Sequence, residues 1–572
     1  MFPLPPPPPA GMGFMMPMFK PWVPKRIQPW IYVVTVSCVQ FTSGIYIGAL
    51  DAIRGTTNFM IEDLLMLLYA GLAGMAIYFP LLFRMKFRFT NQQLLCGAAI
   101  VIGVCNLITM HTTSMPVLLL VCFIAGMAKI QGTFECMSNI QLWITPRRDF
   151  AVFFPVLHIV LLTAIDGSGF LAAWFAHHFT WQMMHVFTVG TMSFILLTQL
   201  VLCRPFCPMP QRLPLKGIDF FSGLLISLLM LILSYIMVYG DYRMWMDSRN
   251  LRLLLGVSFL LAALIHHRLA NVSNPYVSLK LFTYRNVLPI LLVTAIGELL
   301  LGCEHTLEEI WYEEVLGLEE LTKEKQFLWA LPGVYVGVAI NLLWLKVMKW
   351  KVWKLLGIGF GCILAYALMM YFTLDVNAPL EGWRLAIALR GCAYAILAAT
   401  LMWSLDESIP DLEHFFMGLF VFNIFHMYLA GAAGYGVYTT LFSHFLNDDI
   451  ARYGSQLTLT QLDLSRFNIG QFMDQYFLHG MMSVALKQIY GLVIWFSGSI
   501  MLLFLLLDIP AVRTNVRKVP YWPVFGIEML SRLRPLYMKR KTLNNVKKSR
   551  GKHRFLGNRW YLCGKFTKTA RK

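Results

Sequence analysis

Residues 217–239 read GIDFFSGLLISLLMLILSYIMVY. After Asp219 no side chain in the run carries a charge, and the run is long enough to cross a bilayer core as one helix, which takes about 20 residues. Thirteen further runs of this kind are predicted, giving spans at 30–50, 63–83, 93–112, 116–140, 150–176, 181–203, 217–239, 250–267, 285–303, 326–347, 353–373, 383–405, 415–441 and 487–508. They are continuous and carry Gly, Ala and Ser, rather than alternating over ten-residue strands, so helices are expected and not a barrel. The whole composition agrees. The chain is 58% hydrophobic and 14% charged, against about 25% charged in soluble domains, with a mean hydropathy of +0.61. A soluble enzyme is excluded, and the expected fold class is an all-α integral membrane protein with fourteen transmembrane helices.

Lys and Arg collect in cytoplasmic loops. The second loop holds Arg84, Lys86 and Arg88, the fourth Arg147 and Arg148, the sixth Arg204, Arg212 and Lys216, and the tenth Lys346, Lys349, Lys351 and Lys354. The ninth is acidic, with Glu304, Glu308, Glu309, Glu313, Glu314, Glu319 and Glu320. Both termini are therefore predicted to be cytoplasmic, and the protein to be multi-pass in the plasma (inner) membrane. Residues 1–29, with prolines from Pro3 to Pro9, are expected to form a disordered cytoplasmic leader without a cleavable signal. The formal charge of +18 resides mainly in the tail 509–572. Attraction to anionic lipid heads accounts for such a tail, and no nucleic-acid partner is expected. Scattered cysteines, and the His177–His178 and His266–His267 pairs without a third ligand, give no metal site. No phosphate-binding Gly-x-x-x-x-Gly-Lys-Ser loop is present, so ATP drive is not expected, and no cofactor is expected.

Ordered motifs carry a resemblance. Asp219-Phe-Phe-Ser-Gly223 opens the seventh span, Tyr239-Gly240 and then Trp245, Asp247 and Ser248 follow it, and Asn274-Pro-Tyr-Val-Ser-Leu-Lys-Leu-Phe282 leads to Arg285-Asn286. Val315-Leu316-Gly317, Leu331-Pro332-Gly333, Arg390-Gly391, Asn423 and Leu429-Ala-Gly431 with Gly434 come later. In this order they resemble the EmrB/QacA type of drug:proton antiporter, the fourteen-span branch of the major facilitator superfamily. The resemblance implies a six-helix bundle at 30–203, an extra pair of spans within 204–284, and a second bundle at 285–508. It also implies proton-driven efflux of amphipathic compounds. The chain departs from the pattern at Thr42, where the family has Asp. It departs again at Leu82-Phe-Arg84-Met-Lys86-Phe-Arg88, at Cys122, where it has Arg, and at Ser168-Gly169, where it has Gly-Pro. These departures leave room for a facilitator or importer with altered coupling, or for a scaffold that kept the fold.

A charge at the centre of a spanning helix costs about 2.5–3.5 kcal/mol on insertion scales. Lys129, Glu135, Asp166, Glu298 and Arg390 fall inside predicted spans. Asp166 or Glu135 is the expected proton carrier, with Lys129 as counter-charge. Glu298 is expected in the outer half of its span, as a further proton-coupling candidate or as a vestibule carboxylate. Arg390, Asn423 and His426 are expected to hold helices or line the cavity. The polar outer loop 442–486 is expected to cap the cavity or to dock a periplasmic adaptor working with an outer-membrane channel, as EmrB-like pumps do. No nucleophile–base arrangement suggests an enzyme.

Overall fold

The structure is a computed structural model, and it describes residues 18–42, 46–145, 149–206, 218–272, 274–284, 286–302, 304–375, 379–410, 412–454 and 478–506. The chain divides into a unit at Met1–Arg517 and another at Lys518–Lys572, and the second lies outside the described residues, as do the proline run and the basic tail. Among the described residues, thirteen helices are long and apolar enough to cross a membrane. They are α2 (Ile61–Lys86), α3 (Asn91–His111), α4 (Met115–Ile144), α5 (Phe150–His178), α6 (Gln182–Leu202), α7 (Phe220–Val238) and α8 (Arg249–Asn271). The series continues with α9 (Val287–Val315), α10 (Glu320–Met348), α11 (Val352–Thr373), α12 (Leu380–Ser408), α13 (His414–Arg452) and α14 (His479–Leu506).

The span expected at 30–50 is divided. Its helix α1 (Gln28–Gln40) has 13 residues, about 20 Å at 1.5 Å per residue, short of a 30 Å core. A separate helix follows at Leu50–Thr56. Residues 18–20, expected in a disordered leader, pair with the end of α6. The Lys20 amide donates to Leu202 O (2.9 Å) and the Arg204 amide to Met18 O (2.8 Å). The cause is apolar burial, since Met18, Phe19 and Val23 are all in the core.

Helix starts follow local chemistry. Thr90 Oγ1 accepts from the Gln93 amide (3.2 Å) while Gln93 Oε1 accepts from the Thr90 amide (3.1 Å), a reciprocal cap for α3. Asp219 accepts from the Ser222 amide at the start of α7. Within the first half, α2 and α4 pack side by side, as do α3 and α6; within the second half, α10 packs on α12 and α11 on α14. The close approach of α2 and α4 needs glycine: a Cβ on Gly126 would stand 2.0 Å from Gly71 O. The halves meet where α5 touches α10 and α12, and where α2 touches α13. Helices α7 and α8 pair with each other, and α7 lies against α2.

Two expected loops are shorter than the composition suggested. Helix α13 runs on through 442–454, and α14 begins at His479, so the outer loop starts later than 442; its centre, 455–477, lies outside the described residues. The acidic ninth loop contracts as well, because π-helical turns carry α9 through Glu304–Glu308 and Ile310–Val315.

Candidate functional site: buried charges between the halves

Among the described residues the charges expected inside spans, Lys129 apart, fall with their partners into four groups. In the first half, Glu135 of α4 pairs with Lys86, the last residue of α2, at 3.2 Å, and both side chains are buried. Asn139 Nδ2 donates to the other Glu135 oxygen (3.2 Å). The counter-charge is thus Lys86 and not Lys129, which lies six residues away and so on another side of the helix. Lys86 stands in a basic run that reads as a loop, yet its ammonium reaches back into the bundle.

The second group is in the second half. Arg390 Nη1 of α12 donates to Glu308 Oε2 of α9 at 2.5 Å, with Glu308 fully buried. Tyr366 of α11 donates to Glu308 Oε1 (2.6 Å), and its hydroxyl meets that of Tyr490 in α14 (3.2 Å). Arg390 therefore holds helices together, and Glu308 belongs to a helix interior rather than to a loop.

The third group joins α9 to α13. His426 Nδ1 contacts Glu298 Oε1, and His426 Nε2 lies 3.0 Å from the Tyr394 hydroxyl of α12. Both Glu298 and His426 are buried. Because α9 extends to Val315, Glu298 is not near an end: it lies 11 residues after Val287, about 16 Å along the axis. His426 lies 12 residues after His414, about 18 Å along, so the pair shares one depth near mid-bundle. It sits where α13 becomes a π-helix over Ile424–Ala433, a form that often marks functional sites. The Tyr394 hydroxyl can serve the ring nitrogen either as donor or as acceptor. Asn423 takes no part; its Nδ2 donates to Leu419 O one turn back (2.7 Å).

The fourth group seals the acidic end. Lys323 of α10 lies 3.3 Å from Glu313 of α9 and 3.8 Å from Asp51 in the helix Leu50–Thr56. Asp51 N donates to Glu320 (3.4 Å). Asp166 of α5 is half-buried here, within electrostatic reach of Glu324. The glycines beside Asp166 do permit close approach: a Cβ on Gly169 would meet Glu324 Oε2 at 2.7 Å, and one on Gly48 would meet Gly169 O at 2.0 Å. At the basic end the halves are joined by Lys346–Asp149 and by Phe416, whose ring lies 5.5 Å from Phe83 and 5.6 Å from Phe134. Both ends are thus bridged between halves.

Lys129 stands apart from all four groups. It lines a cavity of about 40 Å³ together with Thr42, Gly71, Asn106, Cys122 and Gly126. Among the described residues no group of three or more His, Cys, Asp or Glu is arranged to hold a metal. The signals missed in the sequence were Lys86, Glu308, Tyr366 and Tyr394, all of them polar groups close to an expected span end or ordinary within one.

No model of a known protein family matches the chain, and no curated protein matches it. Solved structures do. The chain is similar to the nucleoside transporter NupG, with a TM-score of 0.51 and 11% identity over 84% of this chain and 99% of that one. It is similar to the peptide transporter POT in complex with sulfate, with a TM-score of 0.53 and 9% identity over 83% and 94%. The proton:xylose symporter XylE of the major facilitator superfamily matches with a TM-score of 0.45 and 13% identity over 82% and 96%. At such identities the likeness is one of fold alone, the fold shared with the nucleoside transporter NupG and the peptide transporter POT.

Proposed function

We propose that the chain is a proton-coupled secondary transporter of the plasma (inner) membrane that exports small amphipathic compounds. The observation that carries this reading is the Glu298–His426–Tyr394 contact, a buried carboxylate and a titratable ring joining three helices of one half at mid-bundle. A histidine changes charge near neutral pH. Protonating either member of such a pair alters how strongly α9 holds α13, and α13 is the helix that touches α2 of the other half. Proton uptake and the rocking of the halves are thereby linked. The contacts between halves at both ends are ones that alternating access would break in turn. Glu298, rather than Glu135 or Asp166, is the proton carrier in this reading, because Glu135 is held by Lys86 and Asp166 stands in the seal at the acidic end. Any adaptor would dock on the loop within 442–486, whose centre, 455–477, lies outside the described residues.

The test is transport of fluorescent amphipathic dyes by the full chain in proteoliposomes with an imposed pH gradient. Wild-type transport should collapse with a protonophore. Glu298→Gln should lose gradient drive by at least about tenfold, the scale of one charge-assisted contact, while still exchanging dye at equal pH. Gradient-independent transport, or an unaltered Glu298→Gln variant, rules the coupling out.

A further inference from the structure

Lys129 is the fifteenth of the 30 residues of α4, about 21 Å from either end at 1.5 Å per residue. Among the described residues it makes no ion pair, and its side chain is partly buried. Glu135 and Glu308 are each already engaged by another cation, and Glu298 by His426. A lone cation at the middle of a membrane is costly, and such residues face a cavity and mark a substrate or ion path. Lys129 does face one, and Thr42 and Asn106 supply further polar groups to its wall.

The polar wall is built in depth. Asn106 Oδ1 accepts from the Tyr46 hydroxyl and from His185 Nδ1, both at 2.9 Å, and Tyr46 in turn meets Thr188 at 2.6 Å. With Nδ1 committed, the buried His185 Nε2 has no hydrogen-bond partner. A cation without an ion pair, a fixed amide and an unpartnered ring nitrogen thus gather in one half.

We infer that Lys129 is the binding cation for a negatively charged group of the transported compound, a carboxylate on an apolar or aromatic body, seated between Thr42, Asn106 and Lys129. The cavity, about 40 Å³ in this structure, has room for the carboxylate, and Leu72, Met75 and Ile102 form the apolar part of its wall. This rests on the transport reading above but not on its proton coupling. It also narrows it: amphipathic cations, a natural expectation for an aromatic-rich cavity, are repelled by this charge.

The test is equilibrium binding by the purified full chain in detergent, without any gradient, read as the shift in thermal unfolding midpoint with benzoate, benzamide and benzylamine. Benzoate should stabilise saturably, at concentrations at least about tenfold lower than benzamide, as expected when one partner of a buried charge pair is removed, and benzylamine should not stabilise. Lys129→Met should bring benzoate and benzamide within about twofold of each other, the residue left by contacts without the charge, and should raise the midpoint of the empty protein. Lys129→Arg should keep the preference. Equal responses to the three probes, no response to benzoate, or an unchanged preference in Lys129→Met overturns the site. Anion preference without proton-driven transport would leave the site standing and remove the coupling; the reverse outcome would remove the site alone.

Discussion

Lys323 of α10 lies 3.8 Å from Asp51 of the first half, and the same ammonium lies 3.3 Å from Glu313 of its own half. One buried cation thus ties the halves at the acidic end, with Glu320 beside it. Lys323→Met leaves these carboxylates facing one another without their cation. Losing one partner of a fully buried pair typically costs about 3–5 kcal/mol, and here solvent screening lowers the cost, because Asp51 and Glu313 are 36% and 33% exposed. The expected outcome is a clearly lower thermal midpoint in detergent, partly restored by adding Glu320→Gln. An unchanged midpoint would show that the seal contributes nothing.

Arg390 and Glu308 make the same argument inside the second half. Arg390→Met strands a fully buried carboxylate, and a loss of about 3–5 kcal/mol is expected. The double variant Arg390→Met with Glu308→Gln should recover most of it, since Tyr366 can still donate to the amide oxygen. A double-mutant cycle on chemical unfolding measures the coupling directly.

Glu135 separates structure from coupling. Because Lys86 holds it, removing both charges (Lys86→Met with Glu135→Leu) should leave gradient-driven dye transport within about twofold of wild type, whereas Glu298→Gln should not. An apolar pair of similar volume often replaces a buried ion pair at no loss, or with a gain of about 1–4 kcal/mol. Loss of transport in the double variant would return Glu135 to the coupling path.

Helix contact predicts an asymmetry among glycines. Gly126→Ala places a methyl 2.0 Å from Gly71 O, and Gly97→Ala meets nothing within 4 Å. The first should destabilise by about 1–3 kcal/mol, the usual range for overpacking; the second should not. Thermal midpoints of the two variants, side by side, check this.

At the mouth of α7 the prediction concerns pH. Burial raises the Asp219 carboxyl, but Arg268 (2.8 Å) and Ser222 outweigh it and hold the group below the ordinary aspartate range. A depressed carboxyl contributes stability that is complete above its unfolded pKa of about 4 and fades as pH falls through the folded value. Asp219→Asn should therefore lower the midpoint at neutral pH and cease to matter in strong acid. An equal effect at both ends of the pH range would mean the hydrogen bonds alone count.

Span number and order were largely legible because apolar runs of about 20 residues have few alternatives. Intramembrane polarity was legible too: Glu298, His426 and Arg390 all stand out against apolar neighbours. Their partners were not. Glu308 lies in an acidic run and reads as a loop until Arg390, 82 positions on, is seen to neutralise it. Lys86 reads as a loop cation until Glu135, 49 positions on, is seen to hold it. Pairing across helices depends on tertiary contact, which a single sequence does not encode locally. The same holds for α1, where the apolar run 30–50 is continuous but the backbone is not: Gly48 has non-helical dihedrals and presses on Gly169.

The position of Lys129 also has an electrical consequence. When access to a mid-membrane site switches sides, the charge there exchanges one bath potential for the other, and a unit charge gains or loses up to about 2.3 kcal/mol per 100 mV, roughly a fiftyfold bias in the equilibrium between orientations. A carrier holding a monovalent anion against Lys129 would be neutral in this respect, while the empty carrier would not. Voltage would then act on the return stroke and leave the loaded stroke alone, so that membrane potential sets how fast the protein resets rather than how tightly it holds its cargo.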